Sequence, residues 1–279
     1  MSSYPFEIIP SLRRDTLRRM ISEGKRPDNR QLTSMRDLTI RVGVIKTADG
    51  SALVNLGNTK VIAGIKFELG KPFEDTPNEG NLIVNLETPP LAAPTFEPGP
   101  PDENAIEIAR IIDRALRHSN YIPLRDLVII PGKSVYSMWV DIYVLNHDGN
   151  LIDSSMLAAV SAIANAQVPR AIIDGENVKL DKSTKIPLNV NPQNMPLTIT
   201  YYKIDKYLIV DPTLEEEVMS DGRFTVASDG ENIVALQKGE GYFTPEEIDS
   251  MINNTLNIVK DLKVKVLEMV KTPANSLVF

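Results

Sequence analysis

The residues of this chain best suited to bind an anion are three arginines on one predicted helix, in the segment 102–118. Arg110, Arg114 and Arg117, which we call the arginine seam, fall within a stripe of roughly 60° if each residue turns the helix by about 100°. Apolar side chains cover roughly 220° of the remaining circumference, so we expect a largely buried helix with one polar edge. Arginine binds phosphate oxygens in a bidentate manner, which makes the seam a candidate contact for a phosphate backbone.

Ion pairs within the same helix are the alternative interpretation of these arginines. Glu107 lies three residues before Arg110, and Asp113 lies four residues before Arg117, so both pairs have helical spacing. Such pairs contribute about 0.2–0.5 kcal/mol each. They explain the acids better than they explain three aligned arginines, and both interpretations stay open at this point.

A run of acids in the second half of the chain is the other set that could do chemistry. Asp211, Glu217 and Asp221 lie close together in sequence, and a carboxylic acid can pass a proton to a leaving group. The triplet Glu215-Glu216-Glu217 could hold magnesium, but a solvated or capping role is favoured for such a run. No metal or cofactor is predicted, because the chain has no cysteine and neither His118 nor His147 has partners at metal-site spacing.

Charge is distributed unevenly along the 279 residues, whose net charge is −7. Residues 1–46 hold ten basic against five acidic side chains, whereas residues 210–249 hold eleven acidic against two basic ones. Both regions could be solvated faces. The sharper interpretation is that they dock neighbouring subunits, with nucleic acid held by a local basic patch and not by the overall field.

Apolar patterning predicts an α+β fold with two related strand-rich halves, each closed by helices. We expect an N-terminal docking helix and arm over 1–30, a first half over 31–170, and a second half over 171–279. Gly57-Asn58 predicts a tight hairpin turn. Predicted strands are 38–45, 51–56, 59–67, 81–87, 127–131, 135–146, 197–204, 207–211, 223–228 and 233–237, and predicted helices are 11–24, 102–118, 151–166 and 245–270.

No stretch approaches the roughly 20 apolar residues that a membrane span needs, and the N-terminus lacks the apolar run of a signal peptide. These features predict a cytoplasmic protein without a membrane partner.

Four motifs in order resemble the ribonuclease PH family, and among its members the non-catalytic ring subunits of archaeal exosomes. The motifs are Gly24-Lys25-Arg26-Pro27-Asp28-Asn29-Arg30, the hairpin from Gly50 to Val61, Asp148-Gly149 with the helix and Val168-Pro169 after it, and Asp211 to Ala227. Together they extend over nearly the whole chain. The resemblance implies a ribonuclease PH-like fold.

The departures from the family pattern fall on three separate parts of one site. The catalytic aspartate of active members, aligned without a gap, falls on Arg223, and a guanidinium does not titrate in the accessible pH range. The glycine- and threonine-rich turn that holds phosphate through backbone N–H groups is replaced by Asn150-Leu151-Ile152. An arginine pair that enters the first long helix is replaced by Glu103-Asn104-Ala105. Loss of a general acid alone costs about 10²–10⁴ in rate, so this chain is expected to have no catalytic residues of its own.

The resemblance further implies partners for the chain. Such subunits alternate with a catalytic homologue in a six-membered ring that carries RNA-binding cap subunits, and the homologue cleaves RNA from its 3′ end with phosphate. Arg110, Arg114 and Arg117 would then hold RNA phosphates from the inactive side. An active enzyme that uses Asp211, Glu217 or Asp221 is the main alternative, and a purely structural ring member that never touches RNA is the third.

Overall fold

A six-stranded sheet forms the first half of the protein. The computed structural model describes residues 11–175 and 177–271, so the first ten residues of the helix and arm predicted over 1–30, and the last eight residues of the chain, lie outside it. The strands follow the order β1-β2-β3-β6-β4 with β5 also paired to β6, and only β4 runs parallel to its neighbour. They are β1 (Leu38–Val42), β2 (Gly50–Leu56), β3 (Thr59–Gly70), β4 (Asn81–Glu87), β5 (Val128–Ile130) and β6 (Ser134–Asn146).

The local signals explain where these strands turn and end. Leu56 pairs with Thr59 across the predicted Gly57-Asn58 turn, where Gly57 has a φ of +57° that favours glycine. The strand predicted over 38–45 stops at Val42, because Gly43 adopts a φ of +71° and leaves the sheet. A 3₁₀ helix at Leu124–Leu127 shortens the strand predicted over 127–131 in the same way.

Three helices come before the second sheet in the chain: α1 (Ser11–Ser22), α2 (Glu103–Ser119) and α3 (Leu151–Ala164). The Asp102 carboxylate caps α2 by accepting a hydrogen bond from the Ala105 N–H at 2.7 Å. Most of the predicted apolar arc of α2 is buried, but Ile106 is an exception with 49% of its surface exposed. In α3 every residue from Leu151 to Ile163 is buried, because its small side chains let β2 and β3 pack on one side and β9 (Leu197–Ile204) of the second sheet on another.

A two-stranded hairpin between the halves was missed by the sequence patterns. It consists of β7 (Gln167–Asp174) and β8 (Asn177–Pro187). The boundary expected at residue 170 falls inside β7. Alternation of apolar and polar residues is weak here because Ile172, Ile173 and Ile186 are all exposed.

The second half has a four-stranded antiparallel sheet, in which β9 is followed by β10 (Tyr207–Val210), β11 (Gly222–Ser228) and β12 (Ile233–Lys238) in the order β10-β9-β11-β12. A short helix, α4 (Leu214–Val218), precedes β11, and α5 (Pro245–Lys271) closes the chain. Thr244 and Glu247 form reciprocal capping contacts at the start of α5. The predicted α+β class is confirmed. Within the described part of the chain, no helix has both the length and the apolar character needed to cross a membrane.

Part of the basic region pairs with the acidic region within one chain, while the expected docking of neighbouring subunits stays a prediction. Arg13 pairs with Glu215, and Arg18 pairs with Asp205 and Asp221. Leu17 and Ile21 of α1 are buried in a small apolar cluster with β9 and β10, so charge and apolar contacts fix the same helix. The N-terminal helix therefore docks on the second half of its own chain.

Candidate functional site

A cleft of about 340 Å³ opens where α2, the start of α3 and the second sheet meet. Its wall contains three carboxylates, Glu107, Glu217 and Glu240, and a single guanidinium, that of Arg223. Leu151 and Ile152 supply an apolar part of the wall. With three negative charges against one positive charge, the cleft does not attract a phosphate group.

Arg223 is held in this cleft by an ion pair with α2. It lies on β11 opposite Tyr202 of β9, and its Nη2 donates to Glu107 Oε2 at 2.6 Å. Burial would lower the pKa of Arg223, but Tyr202, Glu107 and Glu217 outweigh it and raise the pKa above its ordinary value. The guanidinium therefore stays charged and has no proton to give to a leaving group.

Gly239 lets the Arg223 side chain lie flat against the neighbouring chain segment. A methyl group on Gly239 would lie 2.9 Å from Nε of Arg223 and 3.2 Å from its Nη2. The Gly239 N–H also donates to the Arg223 carbonyl at 2.9 Å. The position of the guanidinium is therefore set by both backbone pairing and the absence of a side chain at residue 239.

The side chain of Glu217 accepts a hydrogen bond from the backbone N–H at the start of α3. Its Oε2 accepts from the Asn150 N–H at 3.0 Å, and its Oε1 accepts from the Tyr202 hydroxyl. This is the turn that the family resemblance associates with phosphate binding. Here a carboxylate of the same chain is bound there, beside the buried side chains of Leu151 and Ile152.

Asp211 lies outside the cleft, and both of its carboxylate oxygens accept hydrogen bonds. It has no exposed side-chain surface. Arg36 donates to its two oxygens from Nε at 3.0 Å and from Nη2 at 2.7 Å, and Arg30 and Asn150 add further donors at 3.2 and 2.9 Å. Asp221 is likewise engaged, by Arg18 and by the Asp205 N–H. Both acids fasten the chain together, and neither lines the cleft.

Asp153 is a second buried carboxylate beneath the cleft. Asn150 Nδ2 and the Thr200 N–H donate to its Oδ2 at 2.9 and 3.0 Å, and the Thr200 hydroxyl donates to its Oδ1 at 2.8 Å. Burial raises the pKa of Asp153 to about 6, although these donors act in the opposite direction. Asn150 donates to both Asp153 and Asp211, so it ties the start of α3 to both halves.

The arginine seam divides into two parts. Arg117 Nε donates to Asp113 Oδ2 at 2.8 Å and its Nη2 donates to the Leu82 carbonyl, so the predicted Asp113–Arg117 pair is present and this arginine is already engaged. The seam therefore contains one arginine that is paired within the chain, and its contact with RNA stays a prediction. Arg110 and Arg114 are exposed, and among the described residues they form no hydrogen bond or ion pair.

The expected Glu107–Arg110 pair is absent, because Glu107 is bound elsewhere. Its Oε2 binds Arg223, and its Oε1 accepts from Gln237 Nε2 at 2.9 Å. Arg110 and Arg114 instead border a shallow groove of about 230 Å³ together with Glu107 and Gln237. The structure thus brings two unpaired guanidinium groups to one groove beside the cleft.

Over residues 11–175 and 177–271, no group of three or more acidic or histidine side chains is placed to hold a metal ion.

Comparison with known proteins gives the family. The model for domain 1 of the 3′ exoribonuclease family, RNase PH, matches residues 34–169, and the model for domain 2 matches residues 194–258. The chain belongs to the 3′ exoribonuclease family. These two matches together span most of both sheets, α2, α3 and the wall of the cleft.

Archaeal relatives of the same family are similar over nearly their full length. The exosome complex component Rrp42 of Pyrobaculum aerophilum is 47% identical over 257 residues, covering 92% of this chain and 93% of the relative. That of Saccharolobus islandicus is 46% identical over 278 residues, covering 97% and 98%. A solved structure, the Archaeoglobus fulgidus exosome with RNA bound to the active site, contains a chain that is 38% identical with a TM-score of 0.81 over 91% of this chain and 98% of that one.

Several residues of this exoribonuclease-family cleft were missed by sequence reasoning. Gln237 and Tyr202 lie on predicted strands whose facing direction could not be assigned, and no local motif identifies Gly239. Glu217 was considered as a proton donor, a magnesium ligand or a capping residue, but not as a partner of the Asn150 N–H. Its hydrogen bond to Asn150 joins residues 67 positions apart, and such a contact leaves no local signal.

Proposed function

We propose that this chain is a non-catalytic subunit of a phosphorolytic exoribonuclease ring, and that it binds RNA beside the active site of a catalytic homologue. The observation that carries the proposal is the state of the cleft. Its guanidinium is paired with Glu107, and the backbone N–H at the start of α3 is bound by Glu217. The two features remove the acid and the phosphate site separately, and either loss alone would slow phosphorolysis greatly.

An active enzyme that uses one of the remaining acids is less well supported. Asp211 is buried among guanidinium donors, and Asp221 is bound by Arg18. Glu217 does line the cleft, but both of its oxygens already accept hydrogen bonds. To serve as an acid it would have to break one of them and face a phosphate in a cleft of net negative charge.

RNA contact is assigned to Arg110 and Arg114. Both are exposed at one groove, four residues apart on α2, and both lack an acidic partner among the described residues. Two adjacent unpaired guanidinium groups repel one another by a few tenths of a kcal/mol, so an external anion is favoured between them. Arg117 has a supporting role, since it fastens α2 to the Leu82 carbonyl of β4.

The partners follow from the relatives. Archaeal proteins of high similarity are components of the exosome complex, and the similar solved chains belong to exosome cores. By this similarity we assign the chain to a multi-subunit ring that contacts RNA. An alternating catalytic homologue, RNA-binding cap subunits and a cytoplasmic location are further parts of the proposal.

The experiment uses a ring reconstituted from this chain and a catalytic homologue. Arg110→Glu with Arg114→Glu is expected to weaken binding of single-stranded RNA and to make its salt dependence shallower by about 0.7 in log–log slope per lost phosphate contact. Arg125→Glu is a control, because this arginine is 84% exposed and lies outside the groove. Unchanged RNA binding in an intact ring would instead favour a purely structural subunit.

A further inference from the structure

We propose that Arg223 is a positioning residue, whose ion pair withdraws Glu107 from Arg110 and so keeps that arginine available for phosphate. This inference rests on the proposed function, since it explains how the arginines remain unpaired. Arg223 itself touches neither the groove nor, in this account, the RNA. It acts through Glu107, which borders both the cleft and the groove.

Glu107 is placed where it could bind either partner. It lies three residues before Arg110, and side chains at this spacing face each other on a helix. An exposed helical pair of this kind contributes only about 0.2–0.5 kcal/mol. The contact across to β11 is stronger, because it is charge-assisted and shielded, with 21% of the Arg223 side chain and 29% of the Glu107 side chain exposed.

Both oxygens of Glu107 are turned toward the second sheet. Oε2 accepts from Arg223 Nη2 at 2.6 Å, and Oε1 accepts from Gln237 Nε2 at 2.9 Å. Each oxygen therefore has a donor on the second sheet, and neither accepts from Arg110. Gly239 supports this arrangement, since a methyl group there would contact the Arg223 guanidinium at 2.9 Å.

The charge of the groove depends on this pair. Its lining contains Glu103, Glu107, Arg110 and Arg114. With Glu107 neutralised by Arg223, one negative and two positive charges remain, a net charge of +1. Without Arg223 the net charge is zero, and Glu107 is free to bind Arg110. Glu103 has a smaller influence on Arg110, because it lies seven residues away, about 10 Å along the helix axis.

The test measures binding of fluorescent single-stranded RNA to the reconstituted ring without inorganic phosphate, so that the RNA is not degraded. Arg223→Gln is expected to lower affinity several-fold and to make the salt slope shallower by about 0.7, as for one lost phosphate contact. Adding Glu107→Gln should return binding to within about twofold of the unmodified ring, since a neutral side chain does not capture Arg110. Arg125→Gln, which removes an exposed charge outside the groove, should change neither quantity.

Two results would overturn the inference. One is an RNA affinity of Arg223→Gln equal to that of the unmodified ring. The other is an affinity of the double variant as low as that of Arg223→Gln alone. Should Arg223→Gln fail to assemble, Glu107→Gln replaces it. This variant keeps Arg223 and should bind RNA at least as tightly as the unmodified ring, so weaker binding would also overturn the inference. Failure of the proposed function looks different, because Arg110→Glu with Arg114→Glu would then leave binding unchanged.

Discussion

Arg26 and Glu216 form an ion pair in which neither side chain has any exposed surface. Nε and Nη2 of Arg26 bind the two carboxylate oxygens, while Nη1 and Nη2 also donate to the carbonyls of Val210, Ser34 and Asp211. All five N–H groups of the guanidinium are thus satisfied. Glu216 Oε2 also accepts the Thr213 N–H, so one pair fastens the N-terminal arm to the cap of α4.

Replacing Glu216 by Gln should destabilise the protein strongly. The substitution leaves a buried guanidinium beside an amide that presents donors to it, and breaking one partner of a buried pair costs about 3–5 kcal/mol. Glu215→Gln is the matched control, because the Arg13–Glu215 pair is 59% and 38% exposed and should contribute at most about 1 kcal/mol. Urea denaturation measures both free energies of unfolding. Equal effects of the two substitutions would contradict the assignment.

The buried carboxyl of Asp153 predicts a pH dependence of stability. Its folded pKa of about 6 lies above the ordinary value near 3.9, so the folded protein binds this proton more tightly than the unfolded chain. The stabilisation is fully present below about pH 4 and is lost as the pH rises through about 6. A shift of about two units corresponds to a loss on the order of 3 kcal/mol.

Asp153→Asn isolates this effect from the other acids. The amide can keep the network if its oxygen accepts from Asn150 and the Thr200 N–H while its NH₂ donates to the Thr200 hydroxyl. That hydroxyl can in turn donate to Thr225 Oγ1 at 3.1 Å. The variant should gain stability relative to the unmodified protein between pH 4 and 6, measured by urea denaturation at each pH. If the difference in free energy of unfolding between the two proteins did not vary with pH, the raised pKa of Asp153 would be contradicted.

Gly149 should tolerate no side chain, in contrast to another glycine of left-handed conformation. A methyl group there would lie 2.5–2.7 Å from backbone atoms of Pro212, Thr213 and Leu214 at the start of α4, and its φ is +85°. Gly149→Ala is expected to cost about 2–5 kcal/mol through overpacking and backbone strain together. Gly175→Ala, with a φ of +59° and nothing within 4 Å, should cost only the strain of about 1–2 kcal/mol. Comparable losses of thermal stability would refute the packing argument.

Restoring a carboxylate at position 223 should not restore catalysis. Arg223→Asp adds a fourth carboxylate to the cleft wall, removes the partner of Glu107 and leaves Glu217 bound to the Asn150 N–H. Phosphate would still lack both a cation and a free backbone donor. The readout is release of nucleoside diphosphates from single-stranded RNA with phosphate. Turnover more than tenfold above that of the unmodified chain would mean that the acid alone was missing.

Local patterns identified most of the fold because each depended on neighbouring residues. The Gly57-Asn58 turn and the apolar face of α2 are of this kind, and both are present. The β7–β8 hairpin was missed because its isoleucines are exposed, so their burial could not impose an alternating pattern. The opposite charges that hold α1 could be predicted from the sequence, but the location of its partner could not. Charge counts do not say whether the partner lies in the same chain.

The candidate site was predicted in part for the same reason. The arginine seam is visible from helical spacing, whereas Arg223 was identified only through the family resemblance. Helical spacing favoured Glu107–Arg110, yet a guanidinium 116 positions away binds Glu107 instead. A shielded contact between sheets prevailed over an exposed contact along a helix. Only three-dimensional structure supplies the distance that decides between two such partners.

The most direct test of the central claim compares the purified chain alone with the same chain assembled with a catalytic homologue. Both are incubated with single-stranded RNA and inorganic phosphate, and nucleoside diphosphates are measured. We expect no phosphate-dependent trimming by the lone chain and processive trimming by the assembly. Substantial trimming by the lone chain, abolished by Glu217→Gln, would contradict the account and identify Glu217 as a working acid.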